Sequence, residues 1–300
     1  MAEKSVDLPQ ECWELIFNSL DHHRYFESLS LVSIRFLSIT DQLPRTFTIS
    51  SQVIPFLPCL LSRFRNLKEI EIREFEGDLN SLLYQISKSG LDLETLSFSK
   101  QNLFPLMGVR ELGLRMRNLR KLNCSKVVSL QDSDLFVIGN SFPLLEDLDI
   151  SFPQYYSRFN PNGSLALASF SGVVTDEGIF DLAMKLNRLC KINLSGNHFI
   201  TDKSLQSLSS NCALLREVVI HDCDFLTQNG ISFIMRNCDN LCSISLDSLG
   251  IPYIDSFFQE SFSYAKTLCE LHLQIPNLTA IFQNSFDPFL SNSRTVANFK

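Results

Sequence analysis

LRKLNC at residues 119–124 fits a six-residue frame, L-x-x-[LIV]-x-[LIFC], that recurs along most of the chain. The other seven copies are LKEIEI from Leu67, LETLSF from Leu93, LEDLDI from Leu145, LCKINL from Leu189, LREVVI from Leu215, LCSISL from Leu241 and LCELHL from Leu268. Successive copies begin 26, 26, 26, 44, 26, 26 and 27 residues apart. A period of this size indicates stacked units that share one core, because no single unit could bury its own leucines.

The frame resembles that of a leucine-rich repeat. Apolar and polar residues alternate within each copy, which predicts a short strand with one buried face. Strands from successive repeats would lie parallel, with about 4.8 Å between neighbours. The resemblance implies an α/β fold, in which a curved solenoid carries parallel strands on its inner, concave wall and helices on its outside.

A second periodic signal lies between the frames. Apolar pairs at helical spacing recur as Leu135-x-x-Ile138, Ile179-x-x-Leu182, Leu205-x-x-Leu208 and Ile231-x-x-Ile234. Thr175-Asp176 and Thr201-Asp202 come directly before two of these pairs. A Thr side chain can accept a hydrogen bond from a free backbone N–H at a helix start, and an Asp suits the positive end of the helix. The sequence therefore predicts strand, turn, helix and turn in each repeat.

The step of 44 residues locates an insertion of 18 residues near 151–173, after the strand at 145–150 and before Thr175. This segment carries Tyr155, Tyr156 and Phe159, followed by the turn-forming string Asn-Pro-Asn-Gly at 160–163. Aromatic residues in a long loop either pack beneath the loop or contact a partner, and the two readings stay equally open. Under the second reading, the three aromatic residues are candidates for binding a target.

The end of the repeat region is irregular. A further frame is due near residue 294, where the sequence Arg294-Thr-Val-Ala-Asn-Phe fits it poorly. Because a solenoid needs a cap over its last core face, two interpretations remain. Either a degenerate strand closes the stack, or the last repeat is incomplete and the chain is a shortened member of a longer family.

Residues 1–43 follow a different pattern from the repeats, which occupy 44–300. Pro9 can open a helix, and Cys12, Trp13, Ile16 and Leu20 follow it at helical spacing, with Phe17 beside Ile16. A second apolar stripe comprises Leu29, Val32, Phe36 and Ile39. Two or three short helices bury too little apolar surface to be stable alone, so we expect the neighbouring repeats or a partner to complete this unit.

This segment resembles an F-box, L-P-x-E-x-x-x-x-I-[FL]-x-x-L followed by L-x-x-V-[CS]-x-x-[WF]. The matching residues are Leu8, Pro9, Glu11, Ile16, Phe17, Leu20, Leu29, Val32, Ser33 and Phe36. Ser33 and Phe36 stand where many members of the family carry Cys and Trp. An F-box followed by leucine-rich repeats is similar to the F-box/LRR family, so the resemblance covers nearly the whole chain. The residue types in the repeats are similar to those in plant members of that family.

The resemblance implies a function and partners. In that family the motif docks on the adaptor Skp1 and, through it, on a cullin, so the implied Skp1-binding residues are Leu8, Pro9, Glu11, Ile16, Leu20, Leu29, Val32 and Phe36. The chain would then be the substrate-recognition subunit of a ubiquitin ligase of the Skp1–cullin–F-box type, and its repeats would hold a target protein for ubiquitination and degradation. The alternative is an interaction scaffold that uses the same surfaces without a role in ubiquitin transfer.

The concave wall offers candidate residues for binding the target. Polar side chains between the frame residues point away from the core, and they are rich in hydroxyl and amide groups with charges of both signs. We select Asn123, Asp149, Asn193 and His221 as candidate target-binding residues. Solvent exposure without any partner is the plainer reading for each residue alone, but the concave surface as a whole is where solenoids usually bind.

Composition and motifs argue against several classes of partner, location and catalytic activity. A net charge of −7 and a pI near 5.3 argue against a nucleic-acid partner or an anionic membrane surface. No apolar leader is visible at the N-terminus, so we expect a soluble protein of the cytoplasm, the nucleus or both. His221-Asp222-Cys223 contains the residue types of a thiol nucleophile, but sequence neighbours on one strand do not face one another. We therefore expect no catalytic residues, and no cofactor.

The cysteines follow the repeats. Cys212 and Cys238 both follow an Asn and lie 26 residues apart, whereas Cys190, Cys242 and Cys269 each follow the first Leu of a frame. Such spacing reflects duplication of a repeat, and it does not match the geometry of a metal-ligand set. We therefore predict no metal site.

Overall fold

The computed structural model describes residues 8–20, 28–73, 75–128, 130–153, 173–247, 267–274 and 296–299. Its helices are α1 Gln10–Asn18, α2 Ile34–Gln42, α3 Leu57–Arg63, α4 Leu79–Lys88, α5 Leu106–Arg115, α6 Asp132–Ser141, α7 Asp176–Lys185, α8 Asp202–Asn211 and α9 Gln228–Asn237, with a 3-10 turn at Ile54–Phe56. Its strands are β1 Thr46–Ile49, β2 Glu69–Ile72, β3 Thr95–Ser97, β4 Lys121–Asn123, β5 Asp147–Asp149, β6 Lys191–Asn193, β7 Glu217–Ile220, β8 Ser243–Asp247, β9 Glu270–Gln274 and β10 Val296–Phe299.

The described strands form one parallel sheet in the order of the sequence, from β1 to β10. All eight frames supply a strand, as predicted, and the four predicted helices are present as α6 to α9. Repeating units that pair only with their sequence neighbours make a solenoid. The α/β architecture expected from the period is therefore confirmed.

Two strands lie outside the recognised frames. β1 pairs with β2 so that Thr46 is opposite Glu69, which places Pro44 where the next repeat has Leu67. Because proline occupies the position of the first leucine, this repeat does not match the sequence pattern. β10 pairs with β9, opposite Glu270–Leu273, so the degenerate frame near residue 294 does form a strand.

One continuous apolar core runs through the stack from Ile49 to Leu268. The frame leucines build it: Leu93, Leu145 and Leu189 are each fully buried. Burying one such side chain contributes about 1.5–3 kcal/mol relative to exposure. Because each leucine packs against neighbouring repeats, this stabilisation exists only when the repeats stack.

A ladder of Thr and Asp residues, which we call the Thr–Asp ladder, joins consecutive helices at their N-termini. The Asp176 carboxylate accepts the backbone N–H of Thr201 at 2.8 Å and its hydroxyl at 2.6 Å. Asp132 receives the same two bonds from Thr175, and Asp202 receives them from Thr227. Each Thr hydroxyl also accepts an N–H of its own helix, as predicted for Thr175 and Thr201. One motif therefore both starts a helix and fixes it to the preceding repeat.

Five repeats turn sharply after the strand at the same position, seven residues beyond the first frame leucine. The residue there has a positive φ in each case: Lys100, Lys126, Phe152, Gly196 and Asp222. The backbone N–H groups of the first four donate to a carbonyl of the following repeat, at 2.6–2.9 Å. The left-handed conformation thus extends the ladder of hydrogen bonds past the end of the sheet.

Candidate functional site

The N-terminal helical unit is built around three aromatic rings. Phe36 of α2 packs against Trp13 and Phe17 of α1, with ring centroids 4.8 and 5.0 Å away. Phe17 is almost fully buried. Ser33 caps α2, because its hydroxyl accepts the Phe36 N–H at 3.1 Å. Arg35 also ties the two helices together by donating to the Leu8 carbonyl oxygen at 2.6 Å.

The same unit is fixed to the first repeat. Asp41 of α2 forms an ion pair with Arg63 of α3 at 2.6 Å. Asn66 donates from its side chain to the Gln42 carbonyl oxygen at 3.0 Å, and Ile39 is buried. The neighbouring repeat therefore completes part of this small helical unit.

The predicted adaptor-binding residues divide into two groups. Leu8, Pro9, Glu11, Ile16 and Val32 are exposed. Leu20, Leu29 and Phe36 are only half-exposed, and the Phe36 ring packs within the internal aromatic cluster. The first group is available to a partner, whereas Phe36 has a structural contact within the unit.

Three exposed apolar residues of this unit were not selected from the sequence: Leu15, Leu31 and Ile34. Leu31 and Ile34 are each 87% exposed, and Leu15 is 71% exposed. With Leu8, Ile16 and Val32 they form a set that we call the exposed N-terminal apolar residues. In the sequence they are visible as neighbours of selected apolar residues: Leu15 precedes Ile16, and Leu31 and Ile34 flank Val32 and Ser33. All six are exposed although they lie on two short helices or close before them.

The concave face carries three predicted target-binding residues at equivalent positions. Asn123, Asp149 and Asn193 occupy the last position of β4, β5 and β6, and all three are half-buried. Each uses one side-chain oxygen to accept the backbone N–H two residues later, at 2.9–3.1 Å. Such Asx turns end the strands. These side chains therefore have a local structural role, and the Asn193 side-chain amide also donates to the second carboxylate oxygen of Asp149 at 3.3 Å, across the two strands.

His221, the fourth predicted residue, lies just after β7. One ring nitrogen, Nε2, is 2.8 Å from the Ser245 hydroxyl oxygen on the neighbouring strand. Its backbone N–H donates to the Ser195 hydroxyl at 3.1 Å. The imidazole thus contacts a serine across the sheet, while Cys223, its neighbour in sequence, is buried and donates to the Leu194 carbonyl oxygen at 3.3 Å. The imidazole and the thiol therefore bond to different groups, although the Cys223 thiol also lies 3.4 Å from the His221 carbonyl oxygen.

A row of alternating charges crosses the first strand position of the concave face: Lys121, Asp147, Lys191 and Glu217. The Lys191 ammonium lies 2.7 Å from Glu217, and Lys121 lies 3.9 Å from Asp147. Burial raises the pKa of Asp147, although both lysines oppose this effect. Burial acts to lower the pKa of Lys191, but the hydrogen bond to Glu217 and the nearby carboxylates outweigh it, so the pKa is raised. The two positive and two negative charges of this row therefore balance one another.

Among the described residues, no cysteine forms a disulfide. Burial raises the pKa of Cys212 and of Cys238 to about 12, so both thiols stay protonated at neutral pH. Within the described ranges, no group of three or more His, Cys, Asp or Glu side chains is placed to hold a metal ion. None of the helices there is long and apolar enough to span a bilayer. Tyr155, Tyr156 and Phe159 lie outside the described residues.

Comparison with known proteins identifies the fold. No family model matches the chain. A chain of the crystal structure of the Rad7 and Elc1 complex from yeast is similar over 86% of this chain and 69% of its own length, with a TM-score of 0.54 and 15% identity. The chain is a leucine-rich-repeat solenoid. Weaker likeness is found to the TLR13–ssRNA13 complex, with a TM-score of 0.49, 19% identity and coverage of 88% and 34%. The Toll–Spatzle complex of Drosophila gives a TM-score of 0.44, 16% identity and coverage of 73% and 25%.

Proposed function

We propose that this chain is the non-catalytic substrate-recognition subunit of a ubiquitin ligase of the Skp1–cullin–F-box type. One observation carries the proposal: the exposed N-terminal apolar residues lie within the segment that resembles an F-box, and they leave its aromatic core intact. The proposed partners are a Skp1-like adaptor, a cullin held through it, and a target protein on the repeats. The proposed location is the cytoplasm, the nucleus or both.

The arrangement of the surfaces supports separate roles for the two parts of the chain, with the adaptor on the helical unit and the target on the repeats. The helical unit keeps its own core in Trp13, Phe17 and Phe36, so its exposed apolar residues are free to be buried by an adaptor. The unit is also fixed to the first repeat through Asp41 and Arg63. A rigid joint would hold a target on the concave face at a defined distance from the adaptor. Proximity of this kind raises the local concentration of a target at an active site that another subunit supplies.

The proposal is tested by replacing two of the exposed N-terminal apolar residues. Val32 and Ile34 are 65% and 87% exposed, so the double variant Val32→Ser, Ile34→Ser should fold with an unchanged thermal midpoint. If each side chain contributes about 1.5 kcal/mol on burial against the adaptor, affinity for Skp1 should fall on the order of 100-fold. Titration calorimetry with purified Skp1 measures this change.

A matched control is available on the repeats. Met107 and Leu114 of α5 are 61% and 67% exposed, and the variant Met107→Ser, Leu114→Ser should bind Skp1 like the parent chain. Equal losses in both variants, or no loss in the first, would contradict the proposed adaptor surface. Skp1 binding without recruitment of a cullin in a pull-down would instead support the scaffold interpretation.

A further inference from the structure

The residue that directly precedes each strand can contact its equivalent in the next repeat. Lys68 and Glu94 occupy this position in two successive repeats, and their charged groups are 3.2 Å apart. Arg120 and Glu146 form the same kind of ion pair two repeats further along the stack. Side chains at this position therefore reach one another across neighbouring strands.

Two cysteines occupy this position at β8 and β9. The Cys269 backbone N–H donates to the Cys242 carbonyl oxygen at 2.8 Å, and Ser243 is opposite Glu270 in the sheet. Aligned residues on parallel strands lie about 4.8 Å apart, which is within the 4.4–6.8 Å that separates the Cα atoms of a disulfide. Two thiols thus occupy the positions of the ion pair in the earlier repeats. The Cys242 thiol donates to the Arg216 carbonyl oxygen at 3.4 Å and the Cys269 thiol to the Thr267 carbonyl oxygen at 3.3 Å, so a bond between them requires both side chains to rotate.

Solvent can reach this pair. Cys269 is exposed and Cys242 is half-buried, whereas Cys124, Cys212 and Cys238 are buried. Cys190 holds the same repeat position, but its neighbour toward β8 is Arg216, whose backbone N–H donates to the Cys190 carbonyl oxygen at 2.7 Å. Cys190 therefore has no thiol at the equivalent place on the next strand, and it provides an internal control.

We propose that Cys242 and Cys269 are a redox-sensitive pair that forms a disulfide between β8 and β9. The oxidant is a low-molecular-weight disulfide of the glutathione class. The thiolate of the exposed Cys269 attacks one sulfur of the oxidant, which forms a mixed disulfide and releases one glutathione thiolate. The Cys242 thiolate then attacks the Cys269 sulfur, which forms the protein disulfide and releases the second glutathione. Two protein thiols lose two protons and two electrons, and one glutathione disulfide becomes two thiols.

The bond would tie β9 to the stack. The disulfide closes the chain between residues 242 and 269, and such a closure restricts the unfolded state. β8 carries Ser245, the partner of His221 on the concave face. Oxidation would therefore hold this end of the concave face in place, independently of whether the chain serves a ubiquitin ligase.

The test uses the full chain incubated with glutathione disulfide. Peptide mapping without reduction should find one linked pair, Cys242 with Cys269, and the thermal midpoint should rise by several degrees. Cys242→Ser and Cys269→Ser should each abolish both effects, and Cys190→Ser should abolish neither. The three variants should have the thermal midpoint of the reduced parent chain, which separates loss of the bond from loss of folding.

Three outcomes would overturn the proposal. One is glutathione retained on Cys269 with no linked pair, and another is a link from Cys269 to a different cysteine. The third is a linked pair that leaves the thermal midpoint unchanged, because the bond would then not hold β9.

Discussion

Gly196, in the turn after β6, and Gly90, just after α4, provide a comparison for testing how the turn after a strand is packed. Their φ angles are +75° and +74°, so replacing either by Ala imposes the same left-handed strain on an L-residue. That strain costs about 1–2 kcal/mol. The two sites differ in what a new Cβ would meet, and this difference isolates the packing contribution.

The surroundings of the two glycines predict unequal costs. A Cβ on Gly90 would meet nothing within 4 Å, whereas a Cβ on Gly196 would lie 2.6 Å from the Phe152 ring and 2.9 Å from the Phe152 Cα. The ring could rotate away, but the Cα belongs to the backbone of the preceding repeat. Overpacking of this kind adds about 1–3 kcal/mol. We therefore expect Gly90→Ala to lower the free energy of unfolding by about 1 kcal/mol and Gly196→Ala by about 3 kcal/mol.

Urea denaturation followed by circular dichroism measures both values. A repeat protein can unfold in stages, so the slope of the transition must also be compared among the variants. The double variant Phe152→Ala, Gly196→Ala should recover only part of the loss, because the contact with the Phe152 Cα remains. Equal losses for the two single variants would refute the reasoning, since the contact with Phe152 would then contribute nothing.

Two further predictions concern buried polar groups. Thr201→Val removes the hydroxyl that caps α8 and donates to Asp176, so it should lower the free energy of unfolding by about 1–2 kcal/mol, and urea midpoints no different from the parent would exclude the Thr–Asp ladder as a stabilising element. Burial raises the pKa of Asp134 to about 6. Because this folded-state pKa lies above the unfolded value, its contribution is present at low pH and is lost as pH rises through about 6. Asp134→Asn should therefore raise stability at pH 8, by at most about 3 kcal/mol, and have little effect at pH 4; a gain that does not vary with pH would contradict this account.

The solenoid could be predicted because its signals are local and repeated. The frame leucines, the helical pairs and the Thr-Asp dipeptides each specify one element, and the eight copies of the frame remove the ambiguity of any single strand. The repeat at β1 escaped detection because Pro44 stands in place of the first leucine. The positive φ at Lys100, Lys126, Phe152 and Asp222 also escaped, since no glycine marks these turns.

The candidate surfaces were less accessible to sequence reasoning. Phe36 matched the F-box pattern as a predicted adaptor-binding residue, which stays a prediction, and the structure adds that its ring packs against Trp13 and Phe17. Leu31 and Ile34 matched no motif, and they are the most exposed large apolar residues among those of the N-terminal unit that the structure describes. A motif gives the residue types that recur at each position, but it does not show which side of a short helix is covered by a neighbouring helix.

The sequence by itself determined the architecture, because a period of 26 residues can bury its leucines only by stacking. The tertiary structure decided which side chains of different repeats meet: Asp176 with Thr201, His221 with Ser245, and Cys242 beside Cys269. These contacts depend on the register between neighbouring strands. The register is set by the packing of whole repeats against one another, so it cannot be predicted from any single segment of the chain.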